Sequence, residues 1–532
     1  MNIRMLLKFK TFFSFSSICL LVFVCSCKKR DLINNNSNPD NKQVLNMLDS
    51  IYLYASQIYL WNEQLPEYKK FNPKRFYQKG IDAIEGYRNE IFELSRFAIN
   101  PQTGKSYEEN LFSPLSPKYS AIIGGSTSQL DDLSANGHKK DYNIQNAFGL
   151  AFVVKGNSEI YVLYVDPNSA AGRAGLKRGN RITKISDQPV QISDAFYHFW
   201  ISALKEIFVQ FEIIDNLGNQ RLVKLGQRDY DRNPVLKYSI IKNGNKKFGF
   251  LAYNEFTSLE NTSQYLQPAF SLFQKEGISD LIIDLRYNGG GYQNSAQYIA
   301  NNIVPETVNG AIMFTEHYNQ MMQNGKADIL VNQPLLGYDN QPIIVDGKIV
   351  TLFDFDYGIA ANTIRFEKEG PLQGVKNVYF IVSKYTASSS ELLINVLKPY
   401  VNVKLVGVTN GSDSPVRTYG KPVGFFDITL NDYKLYLAMY QDKNANGDGD
   451  FFDGLIADFS TRDTPEYDFG SVEDPAIQWI VGYSGNFQAK SSRTIQSTSP
   501  AYSKLETLQY LFNRQEIGVM IKDVQELKLK KR

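Results

Sequence analysis

Cysteine is almost absent from this 532-residue chain: its three residues, Cys19, Cys25 and Cys27, all lie at the start. The rest of the chain therefore has no disulfide framework, no cysteine nucleophile and no Cys-rich zinc site. Histidine is nearly as scarce, with His138, His198 and His317 alone, so histidine-based catalysis has few candidates. Charge of one sign is lacking too. The formal net charge is +2 without a long basic stripe, which gives nucleic acid no electrostatic footprint. Tyrosine and phenylalanine are abundant, which raises an oligosaccharide-binding reading. Three tryptophans and the lack of a carboxylate-pair motif weigh against it.

What is present begins with a leader. Arg4, Lys8 and Lys10 precede an apolar run over 11–24, which ends in Val24-Cys25-Ser26-Cys27. Basic, then apolar, then small residues make a secretory signal, and the run is short for a membrane span. Its end resembles a bacterial lipobox. That resemblance implies cleavage after residue 26 and lipid attachment at Cys27. Residues 27–43 are polar and Asn-rich and read as a flexible tether.

Residues 44–140 read as a helical cap with a connector. Leu45, Leu48, Ile51, Tyr52 and Ala55 recur at helical steps, and Gly, Ser, Asn and Asp cluster over 116–140. Short strand-like runs follow over 141–233. From 234 to 515 the pattern alternates between strand and helix, with Phe248 to Phe256, Leu281 to Leu285, Val378 to Val382 and Val403 to Val406 as strands. That alternation predicts an α/β core. Residues 516–532 read as a charged tail.

Two turns carry the chemistry. Lys384-Tyr-Thr-Ala-Ser388-Ser389-Ser390-Glu391 links a buried strand to a helix. A serine there stands at a helix N-terminus, where backbone N–H groups stabilise negative charge. It can attack a carbonyl while a neighbouring N–H holds the oxyanion. The bland reading is a helix cap, with Ser390 and Glu391 as capping residues. The second turn is Asp284-Leu-Arg-Tyr-Asn-Gly289-Gly290-Gly291. Its glycines permit close backbone approach, while Asn294 breaks a dinucleotide fingerprint and no G-K-S/T follows.

These motifs, in order with Thr418-Tyr-Gly-Lys421 and a preceding segment that resembles a PDZ domain, resemble the C-terminal processing (tail-specific) serine proteases. The resemblance covers roughly residues 145–460. It implies an α/β multidomain protein: an N-terminal helical cap, a PDZ-like β-rich domain and a protease core of the ClpP/crotonase-like type. It makes Ser388 the nucleophile and Lys421 the base, with Glu391 and Thr418 in supporting positions. The oxyanion hole would use the Ser389 N–H and a glycine of the 289–291 turn, taken as Gly290. Phe148, Gly149, Leu150 and Ala151 match the PDZ loop that binds a peptide's terminal carboxylate. No cofactor and no catalytic metal are implied. The partners implied are polypeptides recognised by their C-terminal tails, together with a membrane reached through the lipid anchor.

Elimination points to the same lysine. Lys398 lies about 15 Å along the helix from Ser388, Lys384 about 13 Å back along the strand, and glutamate fills the S-x-x-K lysine position. Burial beside Val423 and Phe425 would neutralise Lys421. The chain departs from the family twice. The interval from Ser388 to Lys421 is longer than usual, and polar residues 409–417 read as a loop insertion. Phe425 stands where the family often places an orienting glutamine. Asp442 to Asp453 carries oxygen side chains at EF-hand intervals, but Asp453 replaces the final glutamate and the lead-in is strand-like. It reads as a solvated turn rather than a calcium loop. The expected setting is the envelope of a Gram-negative-type bacterium. The alternative is an inactive peptide-binding envelope lipoprotein.

Overall fold

The computed structural model describes residues 41–111, 113–124, 148–155, 159–337, 341–411, 414–483, 520–522 and 527–530. The leader, Cys27, nearly all of the tether and His138 lie outside the described residues. Among those described, no helix is long and apolar enough to cross a membrane.

A six-stranded sheet organises the chain. Its order is Phe459–Arg462, Asn402–Thr409, Asn377–Val382, Asp280–Asp284, Lys246–Tyr253 and Val235–Asn243. Neighbours run parallel except for the last pair, which is a hairpin. Every residue of Asp280–Asp284 is buried, so its apolar run shows no alternation, as in a strand covered on both faces. On one face, helices Leu259–Glu276, Gln293–Ile303 and Ser389–Leu397 bury Phe270, Ile299 and Leu393 against Leu281, Ile283 and Phe380. On the other, Ile477 and Ile480 of helix Pro475–Tyr483 pack on Phe250, Ile282 and Ile381.

That second face also receives an antiparallel sheet built from Leu150–Lys155, Glu159–Val165, Arg181–Ile185, Phe208–Ile214 and Gln220–Gly226. Period-two alternation gives its first strand two destinations. Phe152 and Val154 point into the sheet's own core with Trp200 and Phe211, whereas Val153 joins the core of the large sheet. Leu150–Lys155 lies at the sheet's edge.

A third core joins helices Asn41–Ile58 and Ala83–Phe97 to Tyr318, Leu330, Val423, Phe425 and Tyr440. The expected helices are present, but they share one apolar cluster with residues far along the chain. Part of the expected connector is also a strand: Ala121–Gly124 pairs antiparallel with Tyr433–Tyr436. Ile122 is buried there, a non-local burial that its polar flanks conceal. The expected charged tail departs further. Met520–Ile521 pairs in parallel with Gly291–Tyr292, and Leu527 is buried. His317 lies in strand Ile312–Tyr318.

Candidate active site

Strand Asn377–Val382 ends at the 383–387 turn, and helix Ser389–Leu397 follows. Between them Ser388 adopts φ 61°, ψ −119°, a backbone state that costs a non-glycine residue about 1–3 kcal/mol. The turn is laced to the glycine-rich one, which holds it there. Thr386 Oγ1 donates to the Leu285 carbonyl at 2.8 Å, and Ala387 N and Ser390 Oγ both donate to the Asn288 carbonyl. Ser389 Oγ donates to the Gly291 carbonyl at 2.8 Å. Gly290 lies so close that a Cβ added to it would stand 2.6 Å from Ser388 Cβ, so a side chain there would expel the serine.

Glu391 ties this turn to the lysine segment. Its buried carboxylate accepts from Ser388 N (2.9 Å) and Lys421 N (2.8 Å) on the same oxygen, Oε2. On Oε1 it accepts from Gly420 N (2.7 Å) and Thr418 Oγ1 (2.5 Å). Burial pushes this carboxyl up, and the four hydrogen bonds oppose that rise. The bond to Ser388 N is half of a capping box. Ser388 Oγ lies on the other half without completing a hydrogen bond, buried and unpartnered among the described residues. The cap reading and the nucleophile reading thus separate: the glutamate caps, and the hydroxyl stays available.

Lys421 is 3% exposed, and its ammonium makes no ion pair or hydrogen bond among the described residues. Its surroundings are rings, with Phe425 at 4.8 Å and Tyr119 at 5.9 Å from Nζ to the centroid. Burial pushes Lys421 down to about 7, assisted by the Lys118 ammonium and opposed by Glu108 and Glu391. Near neutral pH a substantial fraction is therefore an amine with a free electron pair. Phe425, in the place of the family's glutamine, supplies an aromatic face instead of a hydrogen bond.

Sequence reasoning missed one side of this site. Tyr119 OH donates to the Gly420 carbonyl at 2.7 Å, fixing the peptide that leads into Lys421. Lys118 Nζ donates to the Phe452 carbonyl at 2.6 Å and is pushed down to about 8 by burial. Glu108, fully buried, accepts from Tyr119 N, Ser120 N, Ser120 Oγ and Tyr59 OH. These residues sit at the margin of the stretch read as a connector, and no local pattern marks them. The insertion before Thr418 leaves the lysine segment in register: Thr418 N donates to Leu455 O and Leu455 N to Thr418 Oγ1.

The other expected residues fall as follows. Ser389 N opens the helix and makes no hydrogen bond among the described residues. Gly290 N is engaged, donating to Asn288 Oδ1 at 2.9 Å. The residue expected in the oxyanion hole thus has its N–H occupied in this structure, because the asparagine side chain folds back onto its own turn. Phe148 to Ala151 lead into the edge strand, remote in sequence from Ser388. Phe148 O accepts from Ala171 N, and Gly149 takes φ 72° against Ser169. In the Asp-rich turn, Asn444 Oδ1 caps Asn446 N and Asp448 N, while Asp442 faces inward to Gln293. Its oxygens diverge, and no metal-binding group of acidic, histidine or cysteine residues is found among the described residues.

A strained serine at a helix start, a buried lysine with no ion pair among the described residues and a glutamate that bonds both backbones thus meet on the α/β core. Residues 247–442, which include Ser388 and Lys421, match peptidase family S41. That match covers less than half of the chain and marks this segment as similar to the family. A protein of Staphylococcus aureus named as a CtpA-like serine protease is 23% identical over 318 residues, which cover 59% of this chain and 52% of that protein. The chain thus spans about half the length of the curated relatives it matches. A solved structure from Bacteroides fragilis, named as an S41 protease, aligns with TM-score 0.52 at 18% identity and covers 82% of this chain and 97% of that one. It supports the fold.

Proposed function

We propose that the chain is a serine endopeptidase working through a Ser388–Lys421 dyad. The observation that carries this reading is the single oxygen, Glu391 Oε2, that binds the backbone N–H of both residues. Neutral Lys421 takes the proton from Ser388 Oγ as that oxygen attacks the scissile carbonyl. It then returns the proton to the leaving amine as the C–N bond breaks. Water, deprotonated by the same amine, cleaves the acyl-enzyme. Ser389 N is one oxyanion donor. Gly290 N becomes a second when Asn288 Oδ1 releases it.

The substrates are exported or unfolded proteins engaged by their C-terminal tails. The antiparallel sheet over 150–226 is read as the PDZ-like module, with Phe148 to Ala151 leading into an edge strand that can accept a peptide strand. The leader supports an envelope lipoprotein anchored at Cys27. The inactive peptide-binding adaptor has one observation in its favour, the Asn288 bond that occupies Gly290 N. Casein degradation by purified residues 28–532 decides between the two. Cleavage by the wild type, reduced at least about a thousandfold in Ser388→Ala, is expected. Equal cleavage by both, or none by either in the presence of a C-terminal tail peptide, would reject the dyad.

A further inference from the structure

Strands Ile312–Tyr318 and Tyr440–Asn444 pair antiparallel with Glu316 directly opposite Asp442. Both side chains are buried, at 0% and 1% exposure. Like charges directly opposite on paired strands destabilise a sheet, and buried charge without a counter-ion is costlier still. The cation that balances them is Lys522, itself 6% exposed. Its ammonium pairs with Glu316 Oε2, which also accepts from Tyr318 OH at 3.1 Å. It lies 3.5 Å from Asn362 Oδ1, and the Tyr440 and Tyr318 rings stand 5.7 and 5.9 Å away. Glu316 Oε1 is buried without a hydrogen-bond partner among the described residues. The Coulombic effect of Lys522 lowers Asp442, against the larger upward push of burial and Glu316.

The lysine reaches this pocket from a particular place. Met520 and Ile521 lie parallel to Gly291 and Tyr292, immediately after the glycine that abuts Ser388. Lys522 N donates to the carbonyl of Phe425 at 3.4 Å, the residue whose ring faces Lys421 Nζ. The segment thus touches both walls of the candidate active site, the glycine turn on one side and the lysine segment on the other. An extended chain paired along its backbone, with one side chain in a selective pocket, is how a sheet edge binds peptide.

We propose that Glu316 and Asp442 form a lysine-accepting pocket of the peptide channel, where an extended polypeptide beside Gly291–Tyr292 places a lysine side chain, and that residues 520–522 of the chain itself hold that place in this structure. The ligand class is an extended segment with lysine directly after two apolar residues, as in Met520-Ile521-Lys522. An incoming peptide that pairs with Gly291–Tyr292 competes with the chain's own segment, which pairs there in this structure. What the bound peptide is for rests on the Ser388–Lys421 reading; the pocket does not.

The test uses residues 28–532 carrying Ser388→Ala, so that binding is read without turnover. The probe is a fluorescein-labelled peptide with the sequence of residues 516–526, followed by anisotropy. Adding Lys522→Gln to the protein is expected to tighten probe binding at least about tenfold, and a probe with methionine in place of its lysine is expected to lose that gain. Equal binding to both proteins, or equal binding of both probes, overturns the pocket. Should Lys522→Gln weaken the fold, hydrogen exchange on the single Ser388→Ala protein decides. Excess probe is expected to speed exchange of the amides at 527–530 while Asp280–Asp284 stays protected; unchanged exchange at 527–530 overturns the proposal. Probe binding alongside failed casein cleavage would reject the catalytic reading alone. Casein cleavage without probe binding would reject the pocket alone.

Discussion

Two groups of buried cations stand in the core, one around Arg286 and one around Lys421, and they are resolved in opposite ways. In the first, Arg286 binds Asp284, Asp463 and Asp474, and Arg178 binds Asp463 and the Tyr287 hydroxyl. Each guanidinium has carboxylate partners, and Arg178 reaches them from the antiparallel sheet, so the cluster fastens that sheet to the core. In the second, Lys421 is equally buried but has rings around it and a second lysine nearby. Pairing keeps arginines charged. Withholding a partner pushes a lysine toward neutrality, as a base requires. The same burial therefore builds a fastener in one cluster and a reagent in the other.

The contrast can be broken by exchanging what each cation does. Lys421→Met is expected to cut peptide cleavage by about a thousandfold or more while leaving urea stability within about 1 kcal/mol, since a buried cation without a carboxylate partner is removed. A comparable stability loss would make Lys421 a structural ion. Arg286→Met is expected to do the reverse in kind, lowering stability by about 3–5 kcal/mol because Asp284 and Asp474 lose their cation while Asp463 keeps Arg178. A change under about 1 kcal/mol would deny that the cluster is a fastener. The smallest effect sharpens the second cluster. In Lys118→Met the nearby ammonium is gone, so the pH midpoint of kcat/KM is expected to move upward by less than about one unit. A downward shift would contradict the assigned electrostatics.

The legibility of these parts follows their range along the chain. The apolar run at 281–285 and the alternating pattern around it declare the parallel core, because burial on both faces leaves its mark in consecutive residues. The small-residue turn before Glu391 declares a strand-to-helix junction. Lys421 is singled out by motif order and by the poor placement of other lysines, with Val423 and Phe425 as the hint of burial. Tyr119, Lys118 and Glu108 leave no such mark. Their place depends on Ala121–Gly124 pairing with Tyr433–Tyr436, more than three hundred residues away. Lys522 falls in the stretch read as a charged tail because Glu316 and Asp442, the carboxylates it faces, become neighbours only when two distant strands pair. The engaged N–H of Gly290 is a side-chain choice by Asn288 that no spacing rule announces.

The central claim is that Lys421 is neutral enough to act as the base at physiological pH. Titration by NMR of lysine ε-carbons labelled with 13C tests it most directly, with the Lys421 signal assigned by its absence from Lys421→Met. The account predicts a midpoint near 7, where burial places this lysine, with the amine form gained as pH rises and an increase in kcat/KM over the same interval. A midpoint near the ordinary lysine value of about 10.4 would leave the ammonium charged at neutral pH and contradict the dyad.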